Sequence, residues 1–134
     1  MKVILDTNVF VSGIFFSGPP YQIIKAWRDG MLELAMSSDI FDEYRRIATI
    51  LAEQFPPVNL QKLLEFLERE ADFYDVPVLS EQVCDDPDDD KFLACALASD
   101  TKIIVSGDKH LLRVSGYQDI EVLKPKAFVD VYLA

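Results

Sequence analysis

Two acidic residues directly follow apolar runs that have the character of buried β-strands. Asp6 comes after Val3-Ile4-Leu5, and Asp108 comes shortly after the run from 103 to 105. In an open parallel sheet, ligands bind beyond the carboxyl ends of the strands. Each carboxylate alone could instead cap the helix that follows it. Two acids at equivalent strand ends favour a shared site.

A third acid belongs to a helix. The apolar face of that helix is predicted from residues at helical spacing, which are Ile40, Tyr44, Ile47 and Leu51. Glu43 lies on the border of this face, whereas Asp39 and Asp42 point away from it. Glu43 is therefore the acid of this helix best placed to face the sheet edge. The alternative is a boundary glutamate paired with Arg45 or Arg46.

The fourth acidic group is the run from 85 to 90, with five acids in six residues. Such charges repel one another unless they are solvated or offset by cations. An acidic helix start is also favoured by the helix dipole, so part of the run is explained by capping. Asp89 and Asp90 both flank the apolar face of the following helix. The pattern alone leaves open which of the two faces a site.

Other kinds of site are excluded by the residues present. The acidic run lacks the alternation, the central Gly and the closing Glu of a calcium-binding EF-hand loop. The glycines at 13, 18 and 30 do not have the spacing of a nucleotide-binding loop. His110 is the only histidine, so a histidine-based zinc site or a serine triad cannot form. Clustered carboxylates at neutral pH then imply Mg²⁺ or Mn²⁺.

The composition sets the class of protein. The 134 residues fit one compact domain spanning 1–134, and half of them are hydrophobic. No apolar run reaches the roughly 18 residues of a membrane span, and the N-terminus lacks the apolar run of a signal peptide. Cys84 and Cys95 are expected to be ordinary structural thiols. These features predict a cytoplasmic protein that does not enter the membrane.

The formal net charge of −10 is unusual for a protein that binds phosphate backbones. The acids could form a solvated surface that keeps the protein soluble. They could also hold cations, or form an acidic face for a basic partner. Composition does not choose among these three explanations.

Short β-rich runs alternate with helical stretches, which predicts an α/β fold with a parallel sheet covered on both faces. The predicted strands are Lys2 to Leu5, Met31 to Met36, Phe73 to Leu79, Lys102 to Ser106 and Ile120 to Leu123. The predicted helices begin near Pro19, Ser38, Asn59, Asp88, Asp108 and Lys126, and Ser38 and Asn59 are the predicted caps of their helices. The helix that begins near Ser38 is predicted to end at Phe55-Pro56-Pro57. Five strands with helices between them fit one doubly wound domain.

Four segments together resemble PIN domains. The segments are Val-Ile-Leu-Asp6-Thr-Asn-Val, Ser-Ser-Asp-Ile-Phe-Asp-Glu43-Tyr, Asp-Pro-Asp-Asp-Asp90-Lys-Phe-Leu-Ala and Ile-Ile-Val-Ser-Gly-Asp108. Each segment alone is weak, but the ordered set of four is fairly specific. The resemblance covers roughly residues 3–112 and is closest to the VapC-like toxin components of toxin–antitoxin pairs. It implies a three-layer α/β/α fold around a mostly parallel five-stranded sheet.

The resemblance also implies which residues form the site. The four acids that match the catalytic and metal-binding carboxylates of the family are Asp6, Glu43, Asp90 and Asp108. Asn8 and Ser106 match polar residues that support such a site, and Asp86 could contribute indirectly. Asp89 is the alternative for the third acid. The residues that could contact substrate phosphates are Lys91, Lys109, Arg45 and Arg46, although for each of them a solvated basic side chain is the better explanation.

The implied activity is hydrolysis of RNA phosphodiester bonds with Mg²⁺ or Mn²⁺, by a toxin that a cognate antitoxin holds inactive. A homodimer is a further expectation of the resemblance. A phosphatase of the haloacid dehalogenase type is disfavoured, because it needs an aspartate where this chain has Asn8. The remaining alternative is a catalytically silent PIN-like module that binds RNA or protein.

Overall fold

The sheet has five strands, all of them parallel. The computed structural model describes residues 1–55 and 59–133. The strands are β1 (Lys2–Leu5), β2 (Glu33–Met36), β3 (Asp72–Phe73), β4 (Ile103–Val105) and β5 (Glu121–Leu123). They lie in the order β3-β2-β1-β4-β5, and every pairing is parallel. The carboxyl ends of all five strands therefore meet at one edge of the sheet.

Helices flank this sheet in a three-layer α/β/α fold, as the sequence predicts. The helices are α1 (Thr7–Phe15), α2 (Pro19–Arg28), α3 (Ser38–Ala52), α4 (Leu60–Glu70), α5 (Asp90–Ser99), α6 (Lys109–Arg113) and α7 (Pro125–Phe128). Helices α1 to α4 belong to the connections among β1, β2 and β3, whereas α5 and α6 belong to the connections that lead to β4 and β5. Because crossovers between parallel strands are right-handed as a rule, the two groups of helices are expected on opposite faces. No described helix is long and apolar enough to cross a membrane.

Turn and cap residues explain where several helices begin. Pro19 and Pro20 occupy the first positions of α2, where the missing N–H groups cost nothing. Ser37 caps α3, since its hydroxyl accepts a hydrogen bond from the backbone N–H of Ile40 at 3.2 Å. The sequence interpretation had placed this cap at Ser38, one residue too late. Asn59 caps α4 as predicted.

Two elements differ from the sequence prediction. The run predicted as a strand from Phe73 to Leu79 forms a strand only over Asp72–Phe73. Beyond Phe73 the backbone N–H of Tyr74 still donates to the carbonyl of Met36 at 2.9 Å, but Pro77 has no backbone N–H with which to extend the pairing. Helix α1 was not predicted, because Val9, Phe10 and Val11 are all buried and leave no polar face that would reveal a helical period.

Smaller differences concern the ends of helices. The helix predicted from Asp88 begins as a 3₁₀ turn over Pro87–Asp89 and becomes α5 only at Asp90. The last predicted helix begins with α7 and continues as a π-helical turn over Val129–Leu133. Helix α3 ends at Ala52, and the predicted stop at residues 55–57 lies partly outside the described residues.

The core beneath the sheet edge is built around two aromatic rings. Phe10 of α1 and Tyr44 of α3 are fully buried and stack with ring centroids 4.1 Å apart. The hydroxyl of Tyr44 donates a hydrogen bond to the backbone carbonyl of Leu5, the last residue of β1. The pair therefore fixes the end of β1, from which Asp6 projects. Cys84 and Cys95 are buried free thiols, as expected.

Gly13 allows α1 and α2 to pack closely, and we predict that Gly13→Ala destabilises the fold by about 2 kcal/mol. An added Cβ would lie 2.5 Å from Cγ1 of Ile24 and 2.6 Å from the carbonyl oxygen of Pro20, which is backbone and cannot move freely. Chemical unfolding measures this change. Gly107→Ala is the matched control, because its Cβ would meet nothing within 4 Å. Equal stability of the two variants would contradict the close packing.

Candidate functional site

Asp6 and Asp108 project from neighbouring strands at the carboxyl edge of the sheet. Strand β1 pairs with β4 in the register Leu5↔Val105, and the backbone N–H of Asp6 donates to the carbonyl of Val105 at 3.0 Å. Asp6 is buried, with 6% of its surface exposed, and Asp108 is partly exposed. The topology thus brings together two acids that are about a hundred residues apart in the chain.

Ser106 connects these two acids. Its hydroxyl donates to Oδ2 of Asp6 at 2.7 Å and accepts a hydrogen bond from the backbone N–H of Asp108 at 2.9 Å. Ser106 is completely buried, so both hydrogen bonds are shielded from water. Oδ1 of Asp108 also caps α6 by accepting from the backbone N–H of His110 at 2.7 Å. Capping therefore accounts for one oxygen of Asp108.

The electrostatics of Asp6 show the effect of a neighbouring negative charge. Burial raises the pKa of Asp6, and the charge of Asp108 raises it further. The hydrogen bond from Ser106 acts in the opposite direction and lowers this pKa. The net direction is upward, which means that the deprotonated carboxylate lacks a compensating positive charge.

Asp89 faces the same region from the 3₁₀ turn that precedes α5. Its Oδ2 atom is buried and has no hydrogen-bond partner among the described residues. Burial raises the pKa of Asp89 to about 6, and the charges of Asp108, Asp86 and Asp6 contribute to the rise. The charges of both strand-end acids therefore act on Asp89, and its Oδ2 has no hydrogen-bond partner among the described residues.

Asp90 has a different environment. Its Oδ1 accepts a hydrogen bond from the backbone N–H of Cys84 at 2.7 Å, and its Oδ2 accepts one from the backbone N–H of Val83 at 3.0 Å. Both oxygens thus anchor the loop that precedes the acidic run. The assignment of Asp90 as the third site acid stays a prediction, and the contacts favour Asp89 for that role.

Glu43 lies beside the site and is already paired. Thr7 donates its hydroxyl hydrogen to Oε2 of Glu43, and Nζ of Lys91 lies 2.7 Å from Oε1. The side chains of Glu43 and Lys91 are only 16% and 14% exposed, so this ion pair is largely removed from water. Lys91 also pairs with Asp88 at 3.0 Å. Lys91, which the sequence suggested as a phosphate contact, thus neutralises Glu43.

The sequence did not reveal that Thr7 holds Glu43. The only signal was its position in the Asp6-Thr7-Asn8 segment, next to the first acid. Asn8 is exposed on the first turn of α1. Asp86 is exposed and caps the 3₁₀ turn, since its Oδ1 accepts from the backbone N–H of Asp88 at 3.0 Å. Asp86 and Asn8 therefore border the site without entering the buried group.

The other suggested phosphate contacts lie on the surface. Lys109 is exposed at the start of α6. Arg45 pairs with Asp42 at 3.1 Å, and Arg46 approaches Glu43 at 4.0 Å. Both arginines line a groove of about 660 Å³ beside α3 and α5. We call this the α3–α5 groove.

The donor set of the buried acids suits a hard cation. Among residues 1–55 and 59–133, no three His, Cys, Asp or Glu side chains are arranged as a ready-made metal cluster. The charge of Asp108 nevertheless helps to raise the pKa values of Asp6 and Asp89, and Oδ2 of Asp89 has no hydrogen-bond partner among the described residues. Carboxylate oxygens are the ligands that Mg²⁺ and Mn²⁺ prefer. These three side chains therefore have the ligand chemistry that a divalent cation prefers.

Ser106→Ala tests whether the link between the two strand-end acids matters. We expect metal affinity to fall by about 10- to 100-fold, the usual effect of removing a group that orients a ligand. A Mn²⁺ binding isotherm measures this. Ser106→Thr keeps the hydroxyl and therefore serves as the control for the loss of that group in Ser106→Ala. An unchanged affinity in Ser106→Ala would show that the two acids are positioned without the serine.

Comparisons with known proteins identify the family. A family model described as PIN domain matches residues 2–110, a stretch that contains all the acids described above. No curated protein and no solved structure gave a significant match. PIN domains are in general metal-dependent nucleases. The family match spans most of the chain, and the protein therefore belongs to the PIN domain family.

Proposed function

We propose that this protein is a divalent-metal-dependent ribonuclease whose site is formed by Asp6, Asp108 and Asp89, with Glu43 at its margin. One observation carries the proposal. Oδ2 of Asp89 is buried without a partner beside two further acids, and the pKa of Asp89 is raised to about 6 by burial and by their charges. A protein gains nothing for stability from this arrangement unless a cation offsets the charges.

In this proposal, some residues bind the cation and others position those ligands. Asp6, Asp89 and Asp108 would hold the cation, and Ser106 keeps Asp6 aligned with the backbone of Asp108. When bound, Mg²⁺ or Mn²⁺ supplies Lewis-acid activation of water and offsets charge on a phosphodiester. Asp90 keeps the loop at Val83 in place, although the family resemblance implies Asp90 as the third ligand and Asp89 as the alternative.

Glu43 would act at the edge of the site rather than at its centre. Because Thr7 and Lys91 hold both of its oxygens, Glu43 is fixed in position and its charge is balanced. A carboxylate held in this way can orient a water molecule without adding to the repulsion among the other acids. Glu43 could also serve as a fourth ligand if Lys91 moves away.

The finer proposal is that the enzyme is the toxin half of a toxin–antitoxin pair. The α3–α5 groove is lined by more acidic than basic side chains and includes Glu43. A basic antitoxin segment would fit this groove by charge and would cover the margin of the site. An enzyme with such an exposed groove could be inhibited by occupancy alone.

The second candidate function is a catalytically silent PIN-like module that binds RNA or protein. The ion pair between Glu43 and Lys91 favours it, because that pair engages one family carboxylate. The unpartnered oxygen of Asp89 favours the enzyme. A silent module would bind RNA without turnover.

The experiment that tests the proposal is cleavage of labelled single-stranded RNA with Mn²⁺, Mg²⁺ or EDTA. We expect wild type to cleave with either metal and to lose activity in EDTA, and we expect Asp6→Asn to be inactive. Asp100→Asn is the matched control and is expected to keep wild-type activity, because Asp100 is an exposed acid at the C-terminal end of α5 and precedes β4, whereas Asp108 follows that strand. Cleavage that survives both EDTA and Asp6→Asn would overturn the proposal.

A further inference from the structure

A basic groove lies between α2 and α4, outside the carboxylate site. The groove has a volume of about 1020 Å³, and part of α1 closes one end of it. Its charged lining consists of four basic side chains and two acidic ones. The chain as a whole has 23 acidic and 13 basic residues. The α2–α4 groove is therefore lined by net positive charge, whereas the chain as a whole is net negative.

The two helices present the same kinds of side chain at the same spacing. On α2, Tyr21, Lys25 and Arg28 stand at i, i+4 and i+7. On α4, a lysine, a phenylalanine and an arginine have the identical spacing, at positions 62, 66 and 69. Residues at i, i+4 and i+7 share one face of a helix. Each helix thus contributes one aromatic ring and two cations to the α2–α4 groove.

Two of these cations have no acidic partner among residues 1–55 and 59–133. Within the described part of the chain, Arg28 and Lys62 form no ion pair. Lys25 pairs with Asp29 at 3.0 Å, but both side chains are more than half exposed. Such a surface pair contributes little and can be exchanged for another anion. The groove therefore offers positive charge that the protein itself does not use.

Tyr21 adds a surface that a simple anion does not need. Its side chain is 45% exposed, whereas Phe66 packs against Trp27 with ring centroids 5.1 Å apart. An exposed aromatic ring in a groove that also contains cations is the arrangement on which bases of a single strand stack while phosphates contact Lys and Arg. An acidic peptide would be attracted by the same charge but has no bases to stack.

The α2–α4 groove is also within reach of the carboxylate site. Ile14, which lines the groove, is eight residues along α1 from Asp6. At 1.5 Å per residue this is about 12 Å. A strand of several nucleotides can span that distance.

We propose that the α2–α4 groove binds single-stranded RNA through phosphate contacts to Arg28 and Lys62 and through base stacking on Tyr21. It holds the part of a substrate strand that flanks the cleavage site. The inference deepens the proposed ribonuclease function and rests on it for the identity of the strand. The positive groove also explains how a protein of net charge −10 holds a polyanion.

The test measures binding without turnover. A fluorescein-labelled 12-nucleotide oligouridylate is titrated with the Asp6→Asn protein in EDTA at several salt concentrations. Adding Arg28→Glu and Lys62→Glu is expected to weaken binding at least tenfold. It is also expected to lower the salt slope by about 1.4, since each single-strand phosphate contact accounts for about 0.7. Tyr21→Leu is expected to weaken binding about tenfold, and Tyr21→Phe is expected to preserve it.

The matched control changes the same charge elsewhere. Lys102→Glu with Lys124→Glu, both exposed and outside the groove, is expected to leave affinity within about twofold. Equal weakening by the two double variants, or no effect of Tyr21→Leu, would overturn the proposal. So would a 12-residue polyaspartate that displaces the RNA at an equal concentration, because it would assign the groove to an acidic peptide.

Failure of the enzyme and failure of the groove are distinguishable. If wild type does not cleave with Mn²⁺ but the binding pattern is as expected, the ribonuclease proposal fails and the RNA groove stands. If wild type cleaves but the groove variants bind RNA normally, the groove proposal fails alone. Thermal unfolding of each variant checks that the exposed substitutions leave the fold intact.

Discussion

Replacing Asp89 by Asn is expected to lower Mn²⁺-dependent RNA cleavage by about a thousandfold, about 4 kcal/mol at 1.36 kcal/mol per factor of ten. The amide is nearly isosteric with the carboxylate, so the change removes charge and leaves shape. Its Oδ2 is the one buried carboxylate oxygen without a hydrogen-bond partner among the described residues. Loss of that anionic oxygen should weaken metal binding and thereby abolish the activity that depends on it.

Asp90→Asn is the matched control for this experiment. Its carboxylate accepts backbone hydrogen bonds from Val83 and Cys84, which an amide cannot accept with both of its terminal atoms. We therefore expect a loss of stability of about 2 kcal/mol and cleavage within about tenfold of wild type. An inactive Asp90→Asn beside an active Asp89→Asn would reverse the assignment and restore the third acid that the family pattern implies.

The metal-free protein is expected to lose stability as pH rises from about 4 to 6. The pKa of Asp89 is raised from 3.8 to about 6 by burial and neighbouring acids, so the folded state binds a proton that the unfolded state has released. That contribution is complete below the unfolded pKa and disappears above the folded one. After screening by solvent it should amount to roughly 1–2 kcal/mol. Asp89→Asn carries no such proton and should lack this loss.

Mn²⁺ should reverse the effect above pH 6. Ligands must be deprotonated to bind a metal, so stabilisation grows as Asp89 loses its proton. At a hundredfold excess over Kd, binding adds about 2.7 kcal/mol, or roughly 10 °C in Tm for a chain of this size. Calorimetry with and without Mn²⁺ at pH 5 and pH 7.5 measures both the loss of stability of the metal-free protein and the gain that Mn²⁺ brings. A wild-type Tm that does not change when Mn²⁺ is added at pH 7.5 would contradict the metal site.

The sheet was predictable because its signal is local. Apolar runs of three to five residues identify the central strands, and the acid after each run identifies the edge where Asp6 and Asp108 meet. Helix α1 could not be predicted in this way, since Val9, Phe10 and Val11 are buried together and show no helical alternation. Its burial is set by packing against α2 and α3 and not by its own sequence.

The sequence suggested which acids belong to the candidate site but not how their side chains are paired. Helical phase placed Glu43 beside the strand ends, and the structure adds that Thr7 and Lys91 hold it. The choice between Asp89 and Asp90 depends on a 3₁₀ turn that ends between them and rotates their side chains apart. Residues 85–90 include five acids, so they show no alternation of apolar and polar side chains from which such a turn could be predicted.

The most direct test of the central claim is an anomalous-difference map from a crystal of the protein soaked in Mn²⁺. The account predicts a peak within about 2.0–2.6 Å of carboxylate oxygens from Asp6, Asp89 and Asp108, the range of oxygen ligands to hard divalent cations. The account would be contradicted by a map with no peak at the carboxyl edge of the sheet. A peak bound only through Asp90 and Glu43 would contradict it as well.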